Sequence, residues 1–276
     1  MENQRLKELQ KVEFEVLTVV DKFCRENDIN YSVYAGTALG AVRHGGFIPW
    51  DDDIDICMDR NVYKRFVKLW RENPVKGYTL ATDEDPGCHI NHGKVYKDGV
   101  VWSPDGKMQV SGSQGVFVDI FPLDKVPTDK KKRKKLLRKA KLRLVYTRDI
   151  PYRNGSKFLN LVSRILLMKP KKYKLKLKQR YHEYIQQYRD MEDNFVYMGL
   201  ERPGVLGFSY PKDLFETSEI KFEQINVLIT NKSDEFLTTM YGDYMQLPPE
   251  EERVCKHNPE ITYLNEAQEE NTVKQD

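Results

Sequence analysis

Four aspartates stand in five consecutive positions, Asp51-Asp52-Asp53-Ile54-Asp55, followed by Ile56 and Cys57. Charge packed this densely is ordinarily left in water, in a turn or on a solvated face. The alternating isoleucines argue otherwise. Successive side chains of a strand point to opposite faces. A strand over Asp53 to Met58 therefore puts Asp53 and Asp55 on one face and sends Ile54 and Ile56 into a core. Two carboxylates so placed repel each other where water is partly excluded, and a bound divalent cation is the usual compensation. Oxygen ligands with no adjacent His or Cys favour Mg²⁺ or Mn²⁺ over Zn²⁺. A calcium loop of the EF-hand type is excluded, because Ile56 follows Asp55 where glycine is needed and Val62 stands where the closing glutamate belongs.

A two-metal clamp needs a further carboxylate. Asp119 is the candidate, alone among apolar neighbours in Gly115-Val116-Phe117-Val118-Asp119-Ile120-Phe121. Burying such a group is costly without a partner; a surface turn or a structural salt bridge is the alternative reading. Upstream, Tyr31 to Ala35 reads as a strand, Gly36-Thr37 as a turn and Ala38 to Arg43 as one or two helical turns. Strand, small residues and helix N-terminus together make a cradle of N–H groups for phosphate. His44 to Trp50, with two glycines and a proline, is a loop.

The flanking pattern is mixed. Glu2 to Asn27 carries apolar residues at spacings of three and four (Leu6, Leu9, Val12, Val16, Val19, Val20, Phe23), the mark of an amphipathic helix. A helix is expected from about Asn61 to Arg71. Strands are expected at Tyr78–Thr82, His92–Tyr96 and Val116–Phe121, the last halted by Pro122. From Thr128 to about Arg189 the pattern is helical, with breaks near Pro151–Gly155 and at Pro170. Asn194 to Tyr210 reads as irregular, and Ile220 to Ile229 carries strand signals. Asn231 is expected to cap a helix through Tyr241, with Asp234 completing a capping box. After Thr262 the chain is polar and expected to be disordered. Cys88, His89 and His92 invite a zinc reading, but no fourth ligand stands nearby.

The 276 residues, 39% of them hydrophobic, suffice for a core domain with an insertion. The four cysteines (Cys24, Cys57, Cys88, Cys255) form no C-x-x-C pair, which suits a reducing compartment. The polar N-terminus and the lack of a long apolar run predict a cytoplasmic protein, with a peripheral place at the inner face of the membrane as the alternative. The net charge of +3 hides an asymmetry. Between Asp129 and Arg180 there are 21 Lys or Arg against 2 Asp, an excess of 19, which leaves −16 for the rest. Basic residues flank the apolar stretch Phe158 to Met168, a composition that suits an anionic membrane surface. A solvated insertion packing its leucines on the core is the alternative. Nucleic acid is not expected, since no motif accompanies the charge.

The run from Tyr34 to Asp55, Y-A-G-T-A-L-G-A-V-R-H-G-G-F-I-P-W-D-D-D-I-D, resembles the signature of the LicD family, relatives of fukutin and fukutin-related protein. Asp119-Ile120-Phe121-Pro122-Leu123-Asp124 resembles its downstream element. Tyr241-Gly242-Asp243-Tyr244-Met245, with Pro248-Pro249, Arg253 and His257, resembles its C-terminal one. The resemblance implies an α+β fold: a nucleotidyltransferase-like core with a mixed β-sheet, an N-terminal helix and the basic helical insertion. The expected division is a catalytic core at 1–127, the insertion at 128–192, a C-terminal part completing the core at 193–262 and a flexible tail at 263–276.

It further implies a metal-dependent phosphotransferase that moves phosphocholine, or a similar phospho-alcohol, from CDP-choline or a related CDP-alcohol. The acceptor would be a hydroxyl of a cell-surface glycan such as teichoic acid or a capsular or lipopolysaccharide sugar, lipid-linked in one version. A nucleotidyltransferase moving NMP onto a small alcohol or phosphate, and an inactive adaptor on the same fold, are the other readings. On the first, Asp53, Asp55 and Asp119 are catalytic and hold the Mg²⁺ or Mn²⁺. Gly36, Thr37, Arg43, His44, Trp50 and Asp51 bind the donor, and Lys94, Tyr241, Arg253 and His257 touch substrate. Arg43 as a solvated helix end, His44 as a loop hydrogen bond and Trp50 as a packing aromatic remain open beside these roles.

Overall fold

The architecture comes from a computed structural model, which describes residues 2–82, 84–85, 90, 92–104, 115–148, 157–200, 208–255 and 259–264. It is an α+β fold built on a mixed sheet. Strand β2 (Asp55–Asp59) runs parallel to β5 (Gly115–Pro127), and the two-residue β1 (Ser32–Val33) pairs antiparallel with β2 on its other side. The first half of β5 pairs antiparallel with β4 (Gly93–Pro104), and its second half with β6 (Phe195–Gly199). Strands β3 (Tyr78–Ala81) and β9 (Pro259–Tyr263) add to β4. A separate hairpin joins β7 (Thr217–Phe222) to β8 (Ile225–Thr230).

Helices cover the sheet where their apolar stripes demand it. In α1 (Glu2–Glu26), Leu6, Leu9, Val12, Val16 and Val20 are all buried, as their spacing requires. The helix α3 (Arg60–Glu72) buries Phe66, Val67 and Trp70. The Phe23 ring from α1 meets Phe66 and Trp70 at centroid distances of 5.6 and 4.7 Å. Between β1 and β2 lies α2 (Ala35–His44), ended by Gly45 in the left-handed region (φ 69°). The insertion folds as α4 (Lys130–Arg148), α5 (Lys157–Leu167) and α6 (Lys171–Gln186), and α7 (Ser233–Tyr241) follows the hairpin.

Several boundaries differ from the sequence-based expectation. Gly36 and Thr37 lie in the first turn of α2 rather than in a turn before it. The strand carrying the acidic run starts at Asp55, not Asp53, so Asp53 and Asp55 do not share a strand face. Pro122 does not halt β5, because a parallel partner on one side and β6 beyond Leu123 carry the ladder past the missing N–H. Strand β4 continues to Pro104, and β6 occupies part of the stretch read as irregular. Lys232, not Asn231, precedes α7, and no side chain caps it.

One buried ion pair locks α3 to the sheet. The Arg60 guanidinium donates to both oxygens of Asp124 at 2.9 and 2.7 Å, with the carboxylate fully enclosed in β5. Removing one partner of such a pair strands the other charge in a low-dielectric setting. Asp124→Ala should therefore cost about 3–5 kcal/mol in chemical denaturation, although Asp124 is in the same D-I-F-P-L-D run as Asp119 and is not a site residue.

Candidate active site

The parallel register of β2 and β5 sets Asp55 directly opposite Asp119. Just before this point, the Asp119 N–H donates to the Ile54 carbonyl at 2.9 Å, so the pairing reaches one residue beyond β2. Both carboxylates are buried, at 4% and 0% exposure. Strand alternation sends Ile54, Ile56 and Ile120 into the core, as the isoleucine pattern requires.

Asp51, Asp52 and Asp53 precede this pair outside any helix or strand, each half-buried. One oxygen from each can be chosen so that all three lie within 4.8 Å of one another. Octahedral Mg²⁺ at about 2.1 Å sets its ligand oxygens roughly 3–4.2 Å apart, so this triplet fits a hard divalent cation. The compact set is thus Asp51–Asp53, with Asp55 and Asp119 adjoining in the strands.

The helix α2 holds this acidic loop from one side. The Asp55 N–H donates to the Thr37 hydroxyl at 2.8 Å, tying the helix start to the strand start. Thr37 thus acts on backbone. Gly36 acts through the side chain it lacks: a β-carbon there would sit 2.6 Å from an Asp51 carboxylate oxygen. The carboxylate therefore rests against the helix N-terminus, in the position a phosphate oxygen would also favour. From the other side, the Gln10 amide of α1 donates to the Asp51 carbonyl at 2.9 Å.

Also on α1 is Glu13, a group that the sequence-based candidates omit. It is 2% exposed, and its Oε2 has no hydrogen-bond partner among the described residues. Burial, then the negative charges of Asp53, Asp52, Asp51 and Asp119, hold its carboxyl well above the usual carboxylate range. The signal for it was present: Glu13 falls four residues after Leu9 and three before Val16, on the apolar stripe itself.

Basic groups approach Asp119 from β4. Lys94 is its cross-strand neighbour, with Nζ 2.6 Å from Oδ1, and His92 Nε2 lies 2.9 Å from the same oxygen. Neither contact has the alignment of a good hydrogen bond. The His92 ring stacks on Phe121 at 4.4 Å. His92 thereby has a place at Asp119; Cys88 and His89, the other members of the zinc reading, lie outside the described residues.

The C-terminal element supplies the rim. Tyr241 is 43% exposed as a whole residue, but its hydroxyl end is desolvated. That desolvation, followed by the charges of Asp55, Asp51 and Asp53, raises its pKa, so the hydroxyl faces the carboxylates. Arg43, at the end of α2, donates to the carbonyls of Tyr244 at 2.8 Å and Gln246 at 3.4 Å. It is no solvated helix end. Burial and the nearby Arg253 lower its pKa, which places two guanidiniums in one neighbourhood beside Tyr241. Arg253 donates to the Pro248 carbonyl at 2.8 Å. His44 is exposed and accepts from Arg43 at 3.0 Å, with its ring edge-on to the half-buried Trp50 at 6.3 Å. His257 lies outside the described residues.

Asp51, Asp53, Asp55, Asp119, Gly36, Thr37, Lys94 and Tyr241 thus converge, with Arg43 and Arg253 close to Tyr241. Glu13 offers a test of how strongly the site concentrates negative charge. Because its folded pKa is raised, its contribution to stability is fully present below the unfolded value and is lost as pH rises toward the folded one. Glu13→Gln keeps the shape without the charge. In metal-free buffer its melting temperature should exceed that of the parent by a margin that grows from pH 5 to pH 8.

Comparison with known proteins agrees with this arrangement. Residues 28–151 match the family described as LicD/FKTN/FKRP, nucleotidyltransferase domain. The lipopolysaccharide cholinephosphotransferase LicD of Haemophilus influenzae is 32% identical over 280 aligned residues, which take in 96% of this chain and all of that enzyme. An uncharacterized protein of Rickettsia prowazekii is 49% identical over 68 residues, 25% of this chain and 26% of its own. Another, from Rickettsia typhi, is 35% identical over 83 residues, 30% of this chain and 24% of its own. With near-complete, end-to-end similarity to one member and the carboxylates of the two motifs gathered where β2 meets β5, the chain belongs to the LicD family.

Proposed function

We propose that this chain transfers phosphocholine from a CDP-choline-type donor to a hydroxyl of a lipopolysaccharide sugar. The observation that carries the reading is the convergence of Asp51, Asp52, Asp53, Asp55 and Asp119 beside the start of α2, in a chain similar over its whole length to a cholinephosphotransferase. The donor diphosphate would lie between the carboxylates and the guanidiniums of Arg43 and Arg253, with the N–H groups of the first turn of α2 facing it. Trp50 would cover the base or the quaternary ammonium through its ring face.

Asp51, Asp52 and Asp53, with Asp55 and Asp119, would hold Mg²⁺ or Mn²⁺. Such an ion supplies charge neutralisation on phosphate oxygens and lowers the pKa of a nearby hydroxyl. The acceptor oxygen forms a bond to the phosphorus bearing choline, the bond from that phosphorus to the CMP oxygen breaks, and CMP leaves. The acceptor proton passes to a carboxylate of the cluster that does not hold the ion. Lys94, with Nζ 2.6 Å from Asp119 Oδ1, orients that carboxylate. Burial and the adjacent carboxylates keep the Tyr241 hydroxyl protonated, so it can donate a hydrogen bond.

The experiment is incubation of the chain with Mn²⁺ and a panel of CDP-alcohols plus a lipopolysaccharide acceptor, followed by mass analysis of products. CMP and a phosphocholine-tagged sugar are expected from CDP-choline. Release of pyrophosphate from a nucleoside triphosphate would instead support nucleotidyl transfer, and no turnover with any donor would favour an inactive adaptor. Asp53→Asn and Asp55→Asn should each lower turnover by about 10²–10³-fold, the scale for removing one preorganised electrostatic group, while melting stays cooperative. Near-normal turnover by either variant would refute the assignment.

A further inference from the structure

We infer that α5 and the basic residues around it form a docking surface for an anionic lipid bilayer. The inference concerns the insertion alone and does not depend on the transfer reaction. The insertion builds its own small core from Leu136, Ala140 and Leu144 of α4 with Tyr181 and Ile185 of α6, closed against Val126 and Met198 of the sheet. No described side chain of α5 belongs to that core. Leu136 and Leu144 of α4 thus pack inward, whereas Leu161 and Ile165 of α5 stand exposed.

A surface helix ordinarily turns its apolar stripe inward and its polar residues to water. The described part of α5 nevertheless leaves large apolar side chains in water. Among its described side chains Ser163 is the buried one, 3% exposed, with its hydroxyl donating to the Asn160 carbonyl at 2.8 Å, while Val162, Leu166 and Leu167 are half-buried. Leu161, Ile165 and Met168 stand 58%, 53% and 83% exposed. Their spacing of four and three puts them on one stripe. Tyr173 continues the apolar surface onto α6 at 45% exposure, with Lys169 Nζ 5.8 Å from its ring centroid.

Exposed cations border this ridge: Arg164, Lys169, Lys172 and Lys176. They belong to the segment whose charge excess is 19 over Asp129 to Arg180. An apolar ridge set among cations matches the two layers of an anionic membrane, acyl chains beneath and phosphates at the level of the ammonium groups. A second copy of this chain would bring like charge against like. Nucleic acid would meet the charge and leave the ridge in water. No helix among the described residues is long and apolar enough to cross a membrane, so the contact would lie in the interface plane.

Flotation of the full chain with vesicles tests this, using phosphatidylcholine alone and phosphatidylcholine with phosphatidylglycerol. Binding is expected only to the anionic vesicles, weakening between roughly 0.05 M and 0.5 M salt as the charges are screened. The variant combining Leu161→Ser, Ile165→Ser and Met168→Ser should lose binding by on the order of tenfold or more, with its circular dichroism unchanged because the residues are exposed. Lys169→Glu with Lys172→Glu should move the loss to lower salt. Three results would overturn the inference. One is no binding to anionic vesicles at low salt. Another is unchanged binding by the triple serine variant, which would mean a charge-only polyanion surface. The third is a dimer, seen by light scattering, that the serine variant dissociates.

Discussion

The site depends on one pairing, the parallel alignment of β2 with β5 that sets Asp55 opposite Asp119. Neighbouring strands lie about 4.8 Å apart, so this register brings into one place two carboxylates that are 64 positions apart in the chain. The cost of closing that loop is borne by the apolar halves of the same strands: Ile54, Ile56, Val118 and Ile120 are fully buried on the other face. A slip of one residue would turn the isoleucines outward and the aspartates inward. Packing and chemistry are therefore specified by the same alternation.

Around that pair, each neighbour constrains the acidic loop from a different direction. Thr37 fixes the start of β2, Gln10 fixes the backbone of Asp51, and the bare α-carbon of Gly36 leaves room for the Asp51 carboxylate. The hairpin tip does the same for the preceding loop. Glu223 receives the Phe47 N–H at 3.0 Å and donates its own N–H to the Gly45 carbonyl at 2.9 Å. Gly46 permits this, since a β-carbon would stand 2.0 Å from the Glu223 oxygen. The loop is thus held by backbone contacts at both ends.

Much of this was legible in the residues. The isoleucine alternation and the lone aspartate in an apolar strand pointed to Asp53, Asp55 and Asp119, and spacing located α1 and α3 closely. What was hidden is tertiary. The pairing of Lys94 with Asp119 follows from a strand register that no local pattern encodes. For Arg43 the residues left a solvated helix end open beside donor binding, and only the tertiary contacts with the Tyr244 and Gln246 carbonyls remove the first. Pro122 read as a strand terminator because a single strand was considered, whereas the ladder there is shared between two partners. The limit of the acidic strand was misread for a similar reason: four aspartates fit extended backbone, but only those with a partner strand enter the sheet. Glu13 was readable and missed, as a charged residue on an otherwise apolar stripe.

The helix α1 carries a consequence for how this enzyme family can be cut and recombined. The matched domain opens at residue 28, yet Gln10 and Glu13, one helical turn apart, already reach the acidic loop, and Tyr241 and Arg253 complete the rim from the far end of the chain. A module boundary drawn at residue 28 would sever the loop from one of its anchors. The catalytic unit is thus not portable as a central block. Chimeras that exchange specificity between relatives must carry the first helix together with the acidic loop, or graft the insertion with the β5 and β6 residues Val126 and Met198 that close its small core.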